Sequence, residues 1–438
     1  MNVILLSGGS GKRLWPLSND IRSKQFLKVF KKHDGTYESM IQRVYRQVKN
    51  ASSWAKITVA TSKKQVSAIN SQLGDKVSIS AEPCRRDTFP AIALACAYLV
   101  DKQGVNPGEV AVVCPVDPMV GNDYFRALIA LEYQTAKGES DLVLMGIEPT
   151  YASEKYGYIV PKDGEKLSNV KVFKEKPTEE AAQKLIEKGA LWNGGVFAFK
   201  IGFLLNRAKE ILGYSSYQEL YDHYDSFPSI SFDYAIAEKE RKVQVMRFGG
   251  QWKDLGTWNT LSEAMSDPIL GNATMNETCS GVQIINEMDV PILAMGLHDV
   301  VISASPEGIL VSDKEQSSYI KPYVDEFEQR VMFAEKSWGS FKVLDVETGS
   351  MTIKVTLNPG HSMNYHSHQH RDEVWVVIAG EGEAVIDEKK QGIKTGDIVM
   401  MKAGCKHTVK AISELKMVEV QLGAEITAED KQKYDYKF

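Results

Sequence analysis

Residues Leu5–Leu27 read LLSGGSGKRLWPLSNDIRSKQFL, an apolar start that runs into three glycines and then into Lys12, Arg13 and Lys24. Val3–Leu6 is short and continuously apolar, the mark of a strand buried on both faces, and such strands belong to parallel sheets covered by helices. A glycine-rich loop leaving such a strand exposes backbone N–H groups, here those of Gly8, Gly9 and Gly11, which can surround a polyphosphate. Arg13 can fork two phosphate oxygens and Lys24 can return as a point charge. Two familiar phosphate loops fail the spacing. G-x-x-x-x-G-K-[ST] is broken by Leu6 and Arg13, and G-x-G-x-x-G by Leu14.

The pattern continues as α/β. Pro90–Leu99 predicts a buried helix, Val110–Val113 and Leu142–Ile147 predict buried strands, and Glu179–Lys188 predicts an amphipathic helix capped by Thr178. Alternation of this kind implies a Rossmann-like domain with a mainly parallel sheet over residues 1–265. Short β-rich pieces such as GVQIINE and VPILAMG imply a small β module over 266–335. From Trp338 onward strands follow one another between glycine turns, at Met351–Leu357, Val374–Ile378, Glu383–Ile386, Ile398–Met401 and Leu415–Gln421. That spacing implies an all-β barrel over 336–438.

With 438 residues, 43% of them hydrophobic, the chain has ample material for several cores. A net charge of −5 supplies no general basic field for nucleic acid or a membrane surface, so anion binding must come from local clusters. Five scattered cysteines without a CxxC pair read as free thiols. Met1–Leu6 is too short for a signal core, and no apolar run approaches the roughly 18 residues of a membrane span. A soluble, cytoplasmic protein is expected.

The Leu5–Leu27 string resembles the signature of the sugar-nucleotide pyrophosphorylases, and within them the mannose-1-phosphate guanylyltransferases. Further matches follow in the same order: Glu82-Pro83 with Arg85-Arg86-Asp87-Thr88, Pro115-Val116-Asp117, Tyr156–Ile159, Glu175-Lys176-Pro177, Trp192–Gly195 and Trp252–Trp258. The chain departs from the family at Asp87, where Asn is usual, and at Pro118, where His is common. The resemblance implies formation of GDP-mannose and pyrophosphate from GTP and mannose-1-phosphate. It implies that Arg13 and Lys24 hold the triphosphate, with Gly8, Gly9, Gly11, Lys12, Glu82 and Arg85 facing the nucleotide. Asp117 and Asp254 would hold Mg²⁺. Gly157, Glu175 and Asn193 would meet the sugar, and Lys176 its phosphate. Another sugar-1-phosphate, such as a heptose, and a non-catalytic nucleotide-binding regulator stay open as alternatives.

Five of the eight histidines (His361, His366, His368, His370, His407) fall in the barrel segment. His366 and His368 are two apart on an expected strand and so share a face. With Glu373 and His407 they are expected either to form a ligand set suited to Zn²⁺, Co²⁺ or Mn²⁺ or to line a polar pocket without metal, whereas His361 and His370 read as surface or pocket residues. The spacing from Gly360 to Gly380 is similar to the first cupin motif. The stretch from Gly396 to His407 is similar to the second, with Lys402 in place of Pro. A transferase followed by a cupin resembles the bifunctional type II phosphomannose isomerase/mannose-1-phosphate guanylyltransferases. That resemblance implies an interconversion of fructose-6-phosphate and mannose-6-phosphate in the barrel, with Arg371 as its catalytic arginine, and it admits a homodimer.

Overall fold

The structure is a computed structural model, and it describes residues 1–9, 12–19, 21–138, 140–327, 330–427 and 429–438. Gly11 of the expected phosphate loop lies outside the described residues. The chain divides into two compact units. One comprises 1–9, 24–66 and 75–266, and the other 10–23, 67–74 and 267–438.

In the first unit, the described residues form a nine-stranded sheet. Its order is Ser78–Glu82, Lys56–Ser62, Asn2–Ser7, Val110–Pro115, Leu191–Lys200, Leu142–Ile147, Val243–Phe248, Leu167–Lys174 and Tyr158–Pro161. The first four strands are parallel. The short apolar run at the N-terminus is the central strand, with Ile4 and Leu5 fully buried. Beyond Val110–Pro115 the sheet is mixed, because Leu191–Lys200 runs antiparallel to both its neighbours. The cause lies just upstream, where Tyr158–Pro161 and Leu167–Lys174 pair as an antiparallel hairpin and turn the chain without a crossover helix.

The helix expected around Pro90–Leu99 spans Thr88–Asp101. Proline is tolerated in its first turn because that N–H has no intrahelical partner. Asp87 caps it at φ 66° and ψ −173°, a backbone region that strains any side chain, and its carboxylate accepts from Thr88 N. The Thr178 hydroxyl accepts from Ala181 N at the head of helix Glu179–Glu187, as its sequence position implies.

In the second unit, Ile269–Gly271, Gln283–Asn286 and Val300–Ser305 stack in parallel, and Gly308–Asp313 closes them as an antiparallel edge. Ala273–Met275 and Ile292–Ala294 form a second parallel pair. Parallel neighbours joined by short loops are stacked coils, with Val282, Ile284, Ala294 and Ile302 as their core. The rest of the unit is a two-sheet barrel. One sheet orders Phe333–Lys336, Gly339–Glu347, Ser350–Leu357, Leu415–Gly423, Arg371–Ala379 and Ile398–Met401. The other orders Lys389–Lys394, Glu381–Ile386, His407–Ala411, Tyr365–His368 and Lys431–Tyr434. Along Arg371–Ala379, Arg371, Glu373, Trp375 and Val377 alternate inward, the period of two that a strand with one core face requires. All five cysteines are free thiols, as their spacing implies.

Candidate functional site

In the first unit the chain leaves the central strand at Ser7 and enters the glycine loop. Gln25 and Thr61 donate to the Ser7 carbonyl (3.2 and 3.0 Å), and Arg85 and Gln65 donate to that of Gly9 (2.9 and 3.3 Å). These bonds fix the carbonyls on the protein side. Gly9 adopts φ +113°, which strains any L side chain, and a Cβ on Gly8 would meet nothing within 4 Å. Gly8 therefore keeps open space above its backbone.

Two carboxylates converge nearby from paired strands. Asp117 ends the apolar run after Val110–Pro115, and its Oδ2 lies 2.6 Å from Lys24 Nζ. Strand Trp252–Asp254 pairs antiparallel with Pro118–Val120, which sets Asp254 opposite Pro118 and one residue from Asp117. Two oxygen-rich groups beside a part-exposed cation suit a hard divalent ion that retains waters and phosphate ligands.

A second cluster gathers around Gly157. A Cβ there would stand 2.3 Å from Glu175 Oε2 and 3.3 Å from Asn193 Cβ, so only glycine lets these side chains close in. Lys176, at φ 43°, folds back with Nζ 3.1 Å from Glu175 Oε1. Burial opposes its charge, but the Glu175 contact outweighs burial and raises its pKa. Asn193 Nδ2 donates to Asp233 Oδ1 at 2.6 Å, while its Oδ1 accepts from Gly195 N. Burial first, and then Glu175, push the Asp233 carboxyl up to about 6. Glu175 Oε2 is buried without a hydrogen-bond partner among the described residues, an acceptor that a ligand hydroxyl would satisfy. Tyr156, Trp192 and Trp252 cluster beside it with ring centroids 4.9–6.2 Å apart.

The Glu82 carboxylate is buried and takes the Tyr224 hydroxyl at 2.7 Å, and burial raises its pKa. It ties the Ser78–Glu82 strand end to Tyr224. Lys12 and Arg13 belong to the second unit, where Lys12 Nζ contacts Asp325 at 2.7 Å. That loop is fastened there by a two-pronged contact of Arg22 on Glu287 (2.6 and 2.7 Å) and by Ser305 donating to Pro16 O. Asp233 escaped the sequence reading. It sits on a π-helical turn, Asp233–Ala237, and nothing in its local sequence distinguishes it.

In the barrel, His366, His368, Glu373 and His407 bring one ligand atom each to within 4.8 Å of one another. His366 and His407 face each other across paired strands. The Nδ1 atoms of His366 and His407 lie 2.6 and 3.0 Å from the carbonyls of Asn364 and Cys405. A carbonyl only accepts, so those nitrogens carry the protons and both Nε2 lone pairs are left for the cluster. His407 Nε2 stands 3.0 Å from Glu373 Oε2. A proton or a metal ion between them would relieve the repulsion of the facing lone pairs, and the three imidazoles with one carboxylate are a donor set that fits a divalent metal. Burial and then Lys431 hold the His366 pKa down to about 2, so its ring stays neutral and able to ligate.

Arg371 reaches this cluster from within the barrel. Its Nε donates to Glu373 Oε1 (3.2 Å), Nη1 to Thr427 O (2.8 Å), and Nη2 lies 3.2 Å from His368 Nε2. Beneath lie Trp375, donating to Glu419, and Gln421, donating to Glu373 and Glu419. Burial raises the Glu419 pKa and lowers that of Lys431, a residue the sequence reading passed over. Asp430 accepts from Gln369 N and His370 N, and Lys431–Tyr434 pairs along the His366–His368 strand. His361 and His370 are exposed and stand outside the cluster, as expected.

Among the described residues, no helix is long and apolar enough to cross a membrane. The family model described as nucleotidyl transferase matches residues 2–269, and that described as mannose-6-phosphate isomerase C-terminal matches residues 325–435. The xanthan biosynthesis protein XanB of Xanthomonas campestris pv. campestris is 28% identical, over 99% of this chain and 97% of its own. Mannose-1-phosphate guanylyltransferase RfbM of Salmonella typhimurium is 27% identical, over 98% of this chain and 95% of its own. Among solved structures, a mannose-1-phosphate geranyltransferase from Thermus thermophilus is 27% identical. It superposes with a TM-score of 0.63 over 75% of this chain and 99% of its own.

Proposed function

Because the chain belongs to the nucleotidyl transferase family, we propose that it forms GDP-mannose and pyrophosphate from GTP and mannose-1-phosphate. The observation that carries this is the convergence of Asp117, Lys24 and Asp254 beside the Gly8–Gly9 loop, with the Glu175–Asn193–Asp233 cluster in the same unit. An oxygen of the sugar phosphate attacks the α-phosphorus, the bond from that phosphorus to the bridging oxygen breaks, and pyrophosphate leaves with the electron pair. Both reactants are polyanions, so the residues work mainly by holding them in line and by countering charge.

Backbone N–H groups at Gly8 and Gly9 face the triphosphate, and Lys24 balances charge beside Asp117. Asp117 and Asp254 would hold Mg²⁺, which supplies charge neutralisation on the phosphates. Lys176 neutralises the sugar phosphate. Glu175, with its unsatisfied oxygen, and Asn193, oriented by Asp233, take sugar hydroxyls. Lys12 and Arg13 keep their phosphate role on the resemblance alone.

The barrel supports a second activity, interconversion of fructose-6-phosphate and mannose-6-phosphate. Its support is the metal-suited set of His366, His368, Glu373 and His407 with Arg371 against it. A divalent transition metal there would polarise a carbonyl. Pyrophosphate release with mannose-1-phosphate, Mg²⁺ and each NTP in turn tests the transferase. Failure with every NTP and every hexose- or heptose-1-phosphate would end that reading. A coupled assay for mannose-6-phosphate, with Zn²⁺, Co²⁺ or Mn²⁺ supplied, tests the barrel.

A further inference from the structure

Helix Met40–Ala51 buries Met40, Ile41, Val44, Gln47 and Val48. Arg43 stands three residues from Met40 and four from Gln47, so the helical repeat sets its stem on a buried flank. Its guanidinium reaches a neighbouring strand. Nη2 donates to Val120 O at 3.0 Å, Nη1 lies against Met119 Sδ, and Cζ stands 5.2 Å from the centroid of the Phe30 ring. Among the described residues no carboxylate pairs with it. Burial, the largest influence on it, lowers its pKa, and Glu38 offsets this only in part. Arg46, on the next turn, shows the ordinary alternative, donating to Glu38 through Nε and Nη2 (3.1 and 2.5 Å). A shielded cation without a paired carboxylate gains little from charge. What Arg43 adds is a fixed carbonyl on one strand.

That strand is short. Pro118–Val120 and Trp252–Asp254 have three residues each and form a two-stranded ribbon that, among the described residues, pairs with no other strand. An isolated pair of strands is marginal in water. Asp117 immediately precedes the first strand and Asp254 ends the second, so the separation of the two carboxylates depends on this ribbon. The second strand has an anchor of its own, because Trp252 packs against Tyr156 and Trp192. The first is anchored by Arg43 at Val120, which lies opposite Trp252 in the register. The charges that bear on Arg43 are those of Glu38 and Arg46, not those of Asp117 and Asp254, so it acts through the strand and not through its field.

We propose that Arg43 is a positioning residue of the transferase site, which clamps the Pro118–Val120 strand and thereby sets the spacing of Asp117 and Asp254 for a divalent ion. Its kinetic consequence rests on the guanylyltransferase reading, and the clamp itself does not.

Four full-length proteins test it: the natural chain, Arg43→Met, Arg43→Lys, and Arg46→Met, which removes a guanidinium from the same helix without touching the ribbon. Hydrogen exchange read by mass spectrometry should show residues 118–120 and 252–254 exchanging about tenfold faster in Arg43→Met, as loss of one hydrogen bond from a charged donor implies, and at the natural rate in Arg46→Met. Pyrophosphate release is then followed against Mg²⁺ concentration. In Arg43→Met the half-saturating Mg²⁺ should rise about tenfold, with kcat at saturating Mg²⁺ kept within about twofold. Arg43→Lys, which keeps one donor, should recover part of the Mg²⁺ dependence. Natural exchange in both strands, or a fall in kcat at unchanged Mg²⁺ dependence, overturns the proposal. Faster exchange spread over the whole first unit also overturns it, because Arg43 would then support the fold at large. A natural chain that turns over no NTP ends the guanylyltransferase reading instead, and the exchange rates still decide whether Arg43 clamps the ribbon.

Discussion

The Lys24 and Asp117 side chains of the sheet unit are 20% and 29% exposed. The barrel's His366, His368, Glu373 and His407 are shut away at 2–3%. The difference matches what each set is proposed to receive. A site for two polyanions needs room, and substrates and a hydrated ion bring much of the charge that completes it. A site for one resident ion needs donors fixed in advance, with their outer nitrogens already committed to backbone carbonyls. In the first place charge stays inexpensive because water screens it. In the second, every donor has been desolvated, and a shared cation would relieve the repulsion among its lone pairs.

Substitutions can break this contrast, and the largest effect is expected in the open site. Asp117→Asn should cut pyrophosphate release by on the order of a thousandfold while leaving metal bound to the barrel unchanged by elemental analysis. Equal loss at both sites would mean that the two are not independent. His407→Ala is the mirror experiment. Barrel metal affinity should fall by more than the roughly 10–100-fold typical of losing an outer partner, with transferase turnover intact. Retention of metal in that variant would remove His407 from the ligand set.

A smaller effect is expected at Asp233, which sits in the sheet unit but is desolvated as the barrel's ligands are. Its carboxyl titrates near 6, above its ordinary 3.8, so folding favours its protonated form. The associated stability is fully present below the unfolded value and is lost as pH rises through about 6. A shift of about two units corresponds to at most about 3 kcal/mol. Asp233→Asn should therefore raise Tm by a few degrees at pH 8 and hardly at all near pH 4, while raising KM for the sugar phosphate. An equal shift in Tm at both values would show that ionisation is not the cause. The smallest effect belongs to the Lys12–Asp325 pair, whose side chains are 31% and 40% exposed. Asp325→Asn should leave the denaturation midpoint unmoved, because exposed pairs contribute little. A clear fall would mean that this contact anchors the loop more firmly than its exposure implies.

The grouping of His366, His368 and Glu373 in the barrel was legible because its determinants are local. His366 and His368 share a face by the period of two, and Glu373 and Trp375 extend it on the next strand. The sheet unit was legible for a different reason, namely that buried parallel strands are short unbroken apolar runs. What stayed hidden was assembled over distance. Asp233 meets Asn193 across 40 residues and Tyr224 meets Glu82 across 142, contacts without a periodic trace. Glu82 read as a nucleotide contact, and the structure spends its carboxylate on Tyr224. Lys431 lay in a tail that carried no motif, yet it pairs alongside the histidine strand.

The amino-acid order alone determined which segments become strands and helices, and which residue types can hold phosphate or metal. Both follow from near-neighbour physics: apolar periodicity, glycine's freedom at positive φ and the ligand preferences of side chains. Only the tertiary structure decided which of those residues meet. It set Asp254 opposite Pro118, left one oxygen of Glu175 unsatisfied, reversed Leu191–Lys200 in the sheet and grouped the loop after Gly9 with the second unit. Each is a pairing between segments far apart in the chain, chosen by the summed burial and hydrogen bonding of the whole fold.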